Sequence, residues 1–245
     1  SDMMLSGAFG PLGADKYAEY CGDIQQSGRF LLRIINDILA MAQLEGGEVD
    51  LKLEEIDVDE IVGEAVSSYR AEAEAGGVEL ISAAAGLPAI RADRKAVQQI
   101  VGNLVSNAIK FTPAGGTVHV AGSAPDFADG IVLEVEDTGI GIPEHALAKL
   151  GRPFEQVQSQ LTRSHKGSGL GLAIARYLAA LHGGWMHIAS SEGVGTRVSV
   201  FLPRSPDIPR EADLTRYEPR MTVRARQPVR CGGRAPTHGP ADRRG

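Results

Sequence analysis

A glycine-rich stretch about two thirds of the way along the chain has the residue types and spacing of a phosphate-binding turn. Its alternating glycines leave backbone N–H groups uncovered and let the main chain close around an anion. A helix predicted from Leu170 to His182 would point its N-terminal amides at the same place. The stretch lacks the Walker A spacing, and a tight strand-to-helix connection is the alternative interpretation. The candidate phosphate-binding residues are Lys166, Gly167, Ser168, Gly169, Leu170 and Gly171.

A stripe of polar side chains on an earlier predicted helix forms a second candidate binding surface. Gln99, Asn103, Asn107 and Lys110 follow one another at steps of four, four and three, so they share one helix face. A carboxamide oxygen suits Mg²⁺, which keeps waters and shares phosphate oxygens, and Asn107 is therefore the predicted metal ligand. Lys110 would contact phosphate as a point charge. A solvated polar face is the alternative.

Asp137 ends the most apolar strand of the chain, where a buried carboxylate needs hydrogen-bond donors. The amino group of an adenine base would be such a donor. An Asx turn into Thr138 and Gly139 fits the local sequence equally well. We expect Gly139 and Gly141 to let a flat base approach the main chain closely.

Composition and charge narrow the class of protein. The 245 residues are 43% hydrophobic and 23% charged, which is ordinary for a soluble globular protein. No apolar run approaches the length of a membrane span, and Cys21 and Cys231 have no metal-site or disulfide spacing, so a cytoplasmic setting is expected. The net charge is −6, and because residues 205–245 carry nine Arg against five acidic residues, the preceding part carries −10. That acidic body argues against nucleic acid as a partner.

The N-terminal part predicts one long helix with an apolar seam. Apolar positions recur at alternating steps of three and four, the spacing of a coiled coil or helical bundle. Paired helices in a homodimer are the favoured interpretation, and a core helix of a monomeric domain is the alternative. The chain opens without an initiator Met, as if inside an element, and we expect it to be a fragment. The seam residues are Tyr17, Tyr20, Ile24, Ser27, Leu31, Ile34, Ile38 and Met41.

Residues 48–204 predict an α+β domain, a two-layer sandwich with helices on one face of a mixed sheet. Residues 1–47 would be a separate helical segment, and the Pro- and Arg-rich residues 205–245 are expected to be disordered. The predicted elements are a strand over 49–54, a helix from Asp57 to about residue 75, a strand Val78–Ile81, a helix from Asp93 to Lys110, strands Thr117–Ala121 and Ile131–Glu136, a short helix Glu144–Leu150, a mobile loop 152–166, and a hairpin of Trp185–Ala189 and Arg197–Leu202.

Four motifs resemble the conserved boxes of sensor histidine kinases. Asn103–Thr112 is similar to their N box and Asp137–Pro143 to their G1 box. Arg152–Gln156 resembles the F box, and Gly167–Leu172 resembles the G2 box. The order and approximate spacing of the motifs match that family over about residues 10–203.

The resemblance implies a Bergerat-type ATP-binding sandwich, of the kind shared with gyrase, Hsp90 and MutL. It implies ATP and Mg²⁺ as cofactors, an ATP lid over residues 154–166, dimerisation through a helical hairpin and a response-regulator receiver domain as partner. Transferred to matching positions, Asp137 would bind the adenine amino group and Asn107 the metal. The remaining residues implied for the ATP site are Asn103, Lys110, Gly139, Gly141, Phe154, Lys166, Gly167, Ser168, Gly169, Leu170, Gly171 and Thr196.

Two departures from that family qualify the functional prediction. The expected acceptor histidine of the first hairpin helix is missing, since the first histidine of this chain is His119. The acceptor would lie just upstream or in another chain, so this chain alone is not expected to autophosphorylate. Gln99 occupies a position that is often acidic in the family, and an amide cannot act as a general base.

The predicted function is the ATP-binding catalytic region of a sensor histidine kinase. The reaction would transfer the γ-phosphoryl group of ATP to a histidine, for relay to an aspartate of a response regulator. A serine kinase of the anti-sigma type on the same fold is one alternative, disfavoured by the seam helix. A non-catalytic nucleotide-sensing or dimerisation module is the other.

Overall fold

The structure is a computed structural model that describes residues 2–6, 15–45, 50–84, 86–126, 128–147, 150, 168–206 and 221–225. The helices are α1 Asp2–Leu5, α2 Asp15–Glu45, α3 Val58–Ala75, α4 Arg94–Phe111, α5 Glu144–Leu147 and α6 Gly171–Leu181. The strands are β1 Glu54–Ile56, β2 Glu79–Ala83, β3 Ile90–Ala92, β4 Thr117–Ser123, β5 Gly130–Asp137, β6 Trp185–Ser191, β7 Gly195–Pro203 and β8 Met221–Ala225.

The strands form a six-stranded mixed sheet and a separate pair. The sheet has the order β2-β4-β5-β7-β6-β8, and β1 pairs with β3. The β2/β4 and β6/β8 pairs are parallel, whereas the three central pairs are antiparallel. Helix α4 lies in the crossover between β2 and β4, which a parallel pair requires.

One face of the sheet is covered by helices. Residues of β5 alternate between buried and half-buried positions, as expected for a strand with one face in the core. Helices α4 and α6 contact each other and the central strands, and α3 packs beside α4. The two-layer α+β sandwich predicted from the sequence is confirmed. The strand residues of this core are Val118, Val120, Ile131, Leu133, Val135, Met186, Ile188, Val200 and Leu202.

Two aspartates begin the helices that frame the core, as the sequence predicted. The Asp57 side chain accepts hydrogen bonds from the backbone N–H groups of Asp59 and Glu60 at the start of α3. The Asp93 carboxylate does the same for Ala96 at the start of α4. Each cap satisfies amides that have no partner within the helix, which is worth about 1 kcal/mol.

Some apolar residues of helix α2 are exposed to solvent, whereas others are buried in the core. Ile24, Leu31 and Ile38 are 64%, 58% and 44% exposed, so this seam has no partner in the described part of the chain. Met41, a predicted seam residue, is instead 3% exposed and joins the core, because the end of α2 packs against α6. None of the described helices has the length and apolar character needed to cross a membrane.

Three strands differ from the sequence-based expectations. The first was expected over 49–54, but β1 begins at Glu54, where the chain pairs with β3. Strand β3 was missed because it has only three residues. The expectation of disorder from residue 205 onward is wrong for Met221–Ala225, since β8 pairs in parallel with β6. The predicted loop 152–166 lies outside the described residues.

A buried histidine joins the end of α6 to the start of α4. The His182 side chain is 1% exposed. Its Nε2 accepts a hydrogen bond from the Asp93 backbone N–H at 3.0 Å, and Nδ1–H donates to the Leu178 carbonyl oxygen at 2.7 Å. These partners fix a neutral ring protonated at Nδ1. Burial lowers the pKa of His182, although the Leu178 carbonyl and the Asp93 charge oppose that effect.

We expect stability to decrease in mild acid through His182. Because its pKa is lower in the folded state, the unfolded chain binds more protons once the pH falls below the ordinary value of about 6.5. The free energy of unfolding is then lost at up to about 1.4 kcal/mol per pH unit as the pH falls toward the lowered pKa. Urea unfolding between pH 7.5 and 5.5 should show a smaller loss for His182→Gln than for the wild type.

The matched control is His145→Gln, which removes an exposed imidazole. A difference between the two variants isolates the buried ring. Equal pH dependence in the wild type and in His182→Gln would contradict the prediction.

Candidate nucleotide-binding site

Three polar side chains form a row across the end of an otherwise apolar sheet face. Asp137 ends β5, Thr196 lies near the start of β7, and Ser190 pairs with Thr196 from β6. The next row toward the sheet centre contains Val135, Val198 and Ile188, all of which belong to the core or pack against it. The polar row therefore marks the mouth of the space between sheet and helices.

The Asp137 carboxylate is 7% exposed and is held by backbone donors. Its Oδ1 accepts hydrogen bonds from the N–H groups of Gly139 at 2.8 Å and Thr196 at 3.1 Å. The first bond is the Asx turn that the sequence allowed, and it uses one oxygen of the carboxylate. An Asx turn and adenine recognition are therefore compatible, because a carboxylate has two acceptor oxygens.

The glycines after β5 are required by contacts within the protein. A Cβ at Gly139 would lie 2.4 Å from the Phe111 carbonyl oxygen. Gly141 has φ +65°, and a Cβ there would lie 1.9 Å from the Ser191 carbonyl oxygen. From the sequence alone, these glycines are expected to admit a flat base. The structure adds the approach of the protein's own backbone to the turn after β5.

The polar stripe of α4 lies beside the N-terminus of α6. Asn103 Nδ2 donates a hydrogen bond to the Gly171 carbonyl oxygen at 3.0 Å, which joins the two helices. Gln99, Asn107 and Lys110 are half-buried on the same face of α4. The Lys110 ammonium group lies 4.8 Å from the centre of the Phe111 ring. At Asn103 the polar stripe of α4 thus reaches the N-terminal end of α6, the end of a helix that favours anions.

The start of α6 carries no side-chain cap. Leu170 occupies the N-cap position, makes no side-chain capping bond and is fully buried. Gly169 precedes it with φ +72°, a conformation that favours glycine. The first amides of α6 are thus not occupied by a capping side chain. This is the arrangement that the glycine-rich stretch predicted for an anion site.

Ser168 connects the glycine-rich turn to α2. Its hydroxyl donates to Asp37 Oδ2 at 2.7 Å and accepts a hydrogen bond from the Leu170 N–H at 3.2 Å. A role for the Ser168 hydroxyl at phosphate therefore competes with Asp37. Neither Asp37 nor Ser190 was found from the sequence, because a single polar residue in a helix or a strand carries no motif. Phe154, Lys166 and Gly167, which were also predicted for the site, lie outside the described residues.

The comparison with protein families identifies this region. Residues 92–206 match the family described as histidine kinase-, DNA gyrase B-, and HSP90-like ATPases. They form an ATPase domain of this family. The domain contains α4, α6, the polar row and the glycine-rich turn, so the sequence-based prediction of an ATP-binding region is confirmed.

Similar curated proteins include histidine kinases. The chain is 46% identical over 204 residues to the histidine protein kinase DivJ of Caulobacter vibrioides. The aligned residues cover 83% of this chain and 34% of DivJ. The chain is 45% identical over 205 residues to the non-motile and phage-resistance protein of the same organism, covering 83% of this chain and 24% of that protein. The chain thus spans about a quarter to a third of these relatives.

Solved structures agree with this kinship. Full-length ShkA in complex with AMPPNP has a TM-score of 0.68 and 25% identity, covering 92% of this chain and 51% of that chain. The mycobacterial sensor histidine kinase MprB has a TM-score of 0.53 and 25% identity, covering 63% of this chain and 99% of that chain. The predicted resemblance to sensor histidine kinases is confirmed.

We expect Asp37 to restrain the glycine-rich turn of the ATPase domain. In Asp37→Ala, Ser168 loses the acceptor for its hydroxyl proton, and the turn should open more often. Hydrogen exchange of residues 168–171 should accelerate by up to about tenfold, the equivalent of one hydrogen bond.

The control is Asp23→Ala, which removes an exposed carboxylate from the same helix. Unchanged exchange at residues 168–171 in Asp37→Ala, with α2 still helical, would show that the contact does not restrain the turn.

Proposed function

We propose that the chain is the ATP-binding catalytic region of a sensor histidine kinase. In the reaction, a histidine nitrogen attacks the γ-phosphorus of ATP, the bond from that phosphorus to the β,γ-bridging oxygen breaks, and ADP leaves. The phosphoryl group then passes to an aspartate of a response regulator. The observation that supports the proposal is the hydrogen bond from Asn103 of the α4 stripe to the carbonyl of Gly171, the first residue of α6.

The residues divide between the two ends of the nucleotide. Asp137 accepts a hydrogen bond from the adenine amino group, with Thr196 beside it. Asn107 contributes a carboxamide oxygen to Mg²⁺, and Lys110 contacts phosphate. Bound Mg²⁺ neutralises charge on the phosphates. The glycine-rich turn completes the phosphate site through its backbone amides. The other residues proposed for the ATP site are Asn103, Gly139, Gly141, Phe154, Lys166, Gly167, Ser168, Gly169, Leu170 and Gly171.

The acceptor and the base are supplied elsewhere in this proposal. Residues 1–118 contain no histidine, so α2 does not carry the histidine that accepts the phosphoryl group. Gln99 cannot take the proton of the attacking imidazole, because an amide is not basic. Phosphoryl transfer depends mainly on positioning and charge neutralisation, which the α4 and α6 residues provide. The chain alone is therefore not expected to autophosphorylate.

The helical segment supports a homodimer. The exposed seam of α2 repeats every seven residues at Ile24, Leu31 and Ile38, which is the period of paired helices. A second copy would bury this seam, with residues 1–47 as the dimerising segment and residues 48–204 as the catalytic one. A receiver domain is the further partner, and the cytoplasm is the proposed location.

Titration calorimetry with Mg·ADP and Mg·ATP tests the nucleotide site. The wild type should bind both. Asp137→Asn keeps the shape but loses the negative acceptor, so we expect about tenfold weaker binding, the usual scale for a charged hydrogen bond. Asn107→Ala should bind more weakly and lose the dependence of affinity on Mg²⁺. Absence of binding by a folded wild-type chain would reject the kinase proposal.

A transfer assay separates the kinase from the non-catalytic alternative. The chain is incubated with radiolabelled Mg·ATP and a separate histidine-containing hairpin from one of its relatives. Acid-labile labelling of the hairpin supports the kinase. Nucleotide binding without any labelling would favour the nucleotide-sensing module, which Gln99 and the missing acceptor histidine support. Acid-stable labelling of serine would favour the anti-sigma type of kinase.

Charge on the seam should separate the dimer. Leu31→Glu places a carboxylate on the exposed seam, where a second copy would have to desolvate it. Light scattering with chromatography should give a dimeric mass for the wild type and a monomeric mass for the variant. Gln26→Glu, at an exposed position on the opposite side of α2, is the control and should stay dimeric. A monomeric wild type at high concentration would contradict the dimer.

A further inference from the structure

Ser190 is a buried polar residue to which no motif and no proposed role applies. It lies on β6 with 1% exposure, in the row that also contains Thr196 and Asp137. Its Oγ contacts the Ile142 backbone N at 2.9 Å, the Gly195 carbonyl oxygen at 3.0 Å and the Thr196 Oγ1 at 2.8 Å. One hydroxyl thus joins the turn after β5 to the start of β7.

The three contacts fix the hydroxyl protons. A carbonyl oxygen only accepts, so the single proton of Ser190 goes to Gly195. The Ile142 N–H only donates, and it occupies one lone pair of Ser190 Oγ. For the third contact to be a hydrogen bond, Thr196 must donate to the other lone pair. This is the one arrangement that satisfies all three contacts, and a buried group left unsatisfied is costly.

Once its proton is committed to Ser190, Thr196 Oγ1 offers only lone pairs to a ligand. The neighbouring Asp137 carboxylate, which the Thr196 N–H contacts at 3.1 Å, is also an acceptor when ionised. Two adjacent acceptors match a group with two N–H donors, such as the 6-amino group of a purine. A 6-oxo purine presents a carbonyl oxygen at that place, and like acceptors repel.

We propose that Ser190 is a positioning residue for base selection: it directs the Thr196 hydroxyl proton away from the ligand, so that the site prefers a 6-amino to a 6-oxo purine. The inference rests on the proposed nucleotide binding at Asp137. Ser190 acts through the Thr196 hydroxyl and does not touch the base. Without it, the Thr196 hydroxyl is able to rotate and donate to a 6-oxo group.

Calorimetric titration with Mg·ADP and Mg·IDP tests this role, because the two ligands differ in the base alone. The wild type should bind ADP more tightly than IDP. In Ser190→Ala the ratio of the two affinities should fall by about threefold to tenfold, the equivalent of one hydrogen bond. Ser190→Thr, which keeps a hydroxyl, should retain the wild-type ratio.

Two further variants make the test specific. In a Thr196→Val background, Ser190→Ala should cause no additional change in the ratio, since the proton that it directs is gone. Ser199→Ala removes a buried hydroxyl of β7 that donates a hydrogen bond to Glu134. Both residues lie on the sheet face opposite the polar row, so this variant should keep the wild-type ratio. If Ser190→Ala does not fold, Ser190→Cys is used instead, because a thiol has nearly the same shape as the hydroxyl but forms only weak hydrogen bonds. It should show the same fall in the ratio of ADP affinity to IDP affinity.

Each outcome decides a different question. An equal loss of affinity for ADP and IDP in Ser190→Ala would make Ser190 a structural residue and overturn the inference while leaving the nucleotide site intact. If Ser190→Ala still lowers the ratio of ADP affinity to IDP affinity in the Thr196→Val background, the inference is also overturned. Absence of ADP binding by the folded wild type would reject the proposed function, and this inference with it.

Discussion

The site depends on the close approach of two turns, one after β5 and one between β6 and β7. Gly195 has φ +115°, and a Cβ there would lie 2.0 Å from the Asp137 carbonyl oxygen. The Gly193 N–H donates to the Ile140 carbonyl oxygen at 2.8 Å, which closes the contact from the other side. A side chain at Gly195 would separate the two turns, and Asp137 would then lose its hydrogen bond from the Thr196 N–H.

The helices contribute the other half of the arrangement. Ile100, Leu104 and Ala108 of α4 face the core, and this fixes the rotation of the helix so that the adjacent flank presents its side-chain amides. The buried Leu170 holds the first turn of α6 against the same core. His182 then ties the far end of α6 to the start of α4. Apolar packing thus sets where the polar groups stand, and hydrogen bonds at both ends keep the two helices in register.

Much of this arrangement could be predicted from the sequence because its signals are local. The caps at Asp57 and Asp93, the period of α4 and the alternation of β5 each depend on neighbouring residues. The contacts from Ser190, His182 and Asp37 could not be predicted, because each joins elements that only the folded sheet brings together. Met41 was misplaced for the same reason: its spacing fits the seam, but the end of α2 packs against α6.

Strand β8 has a consequence for the solubility of shortened forms of the protein. It covers the outer edge of β6 and lies beyond residue 206, where the match to the ATPase family ends. A chain cut at that point would keep the polar row and both turns, but it would expose the edge of β6 from Met186 to Ser190, with its unpaired N–H and C=O groups. Such an edge is a template for pairing with another chain. The five residues of β8 thus protect an edge of the ATPase domain that its own residues leave open.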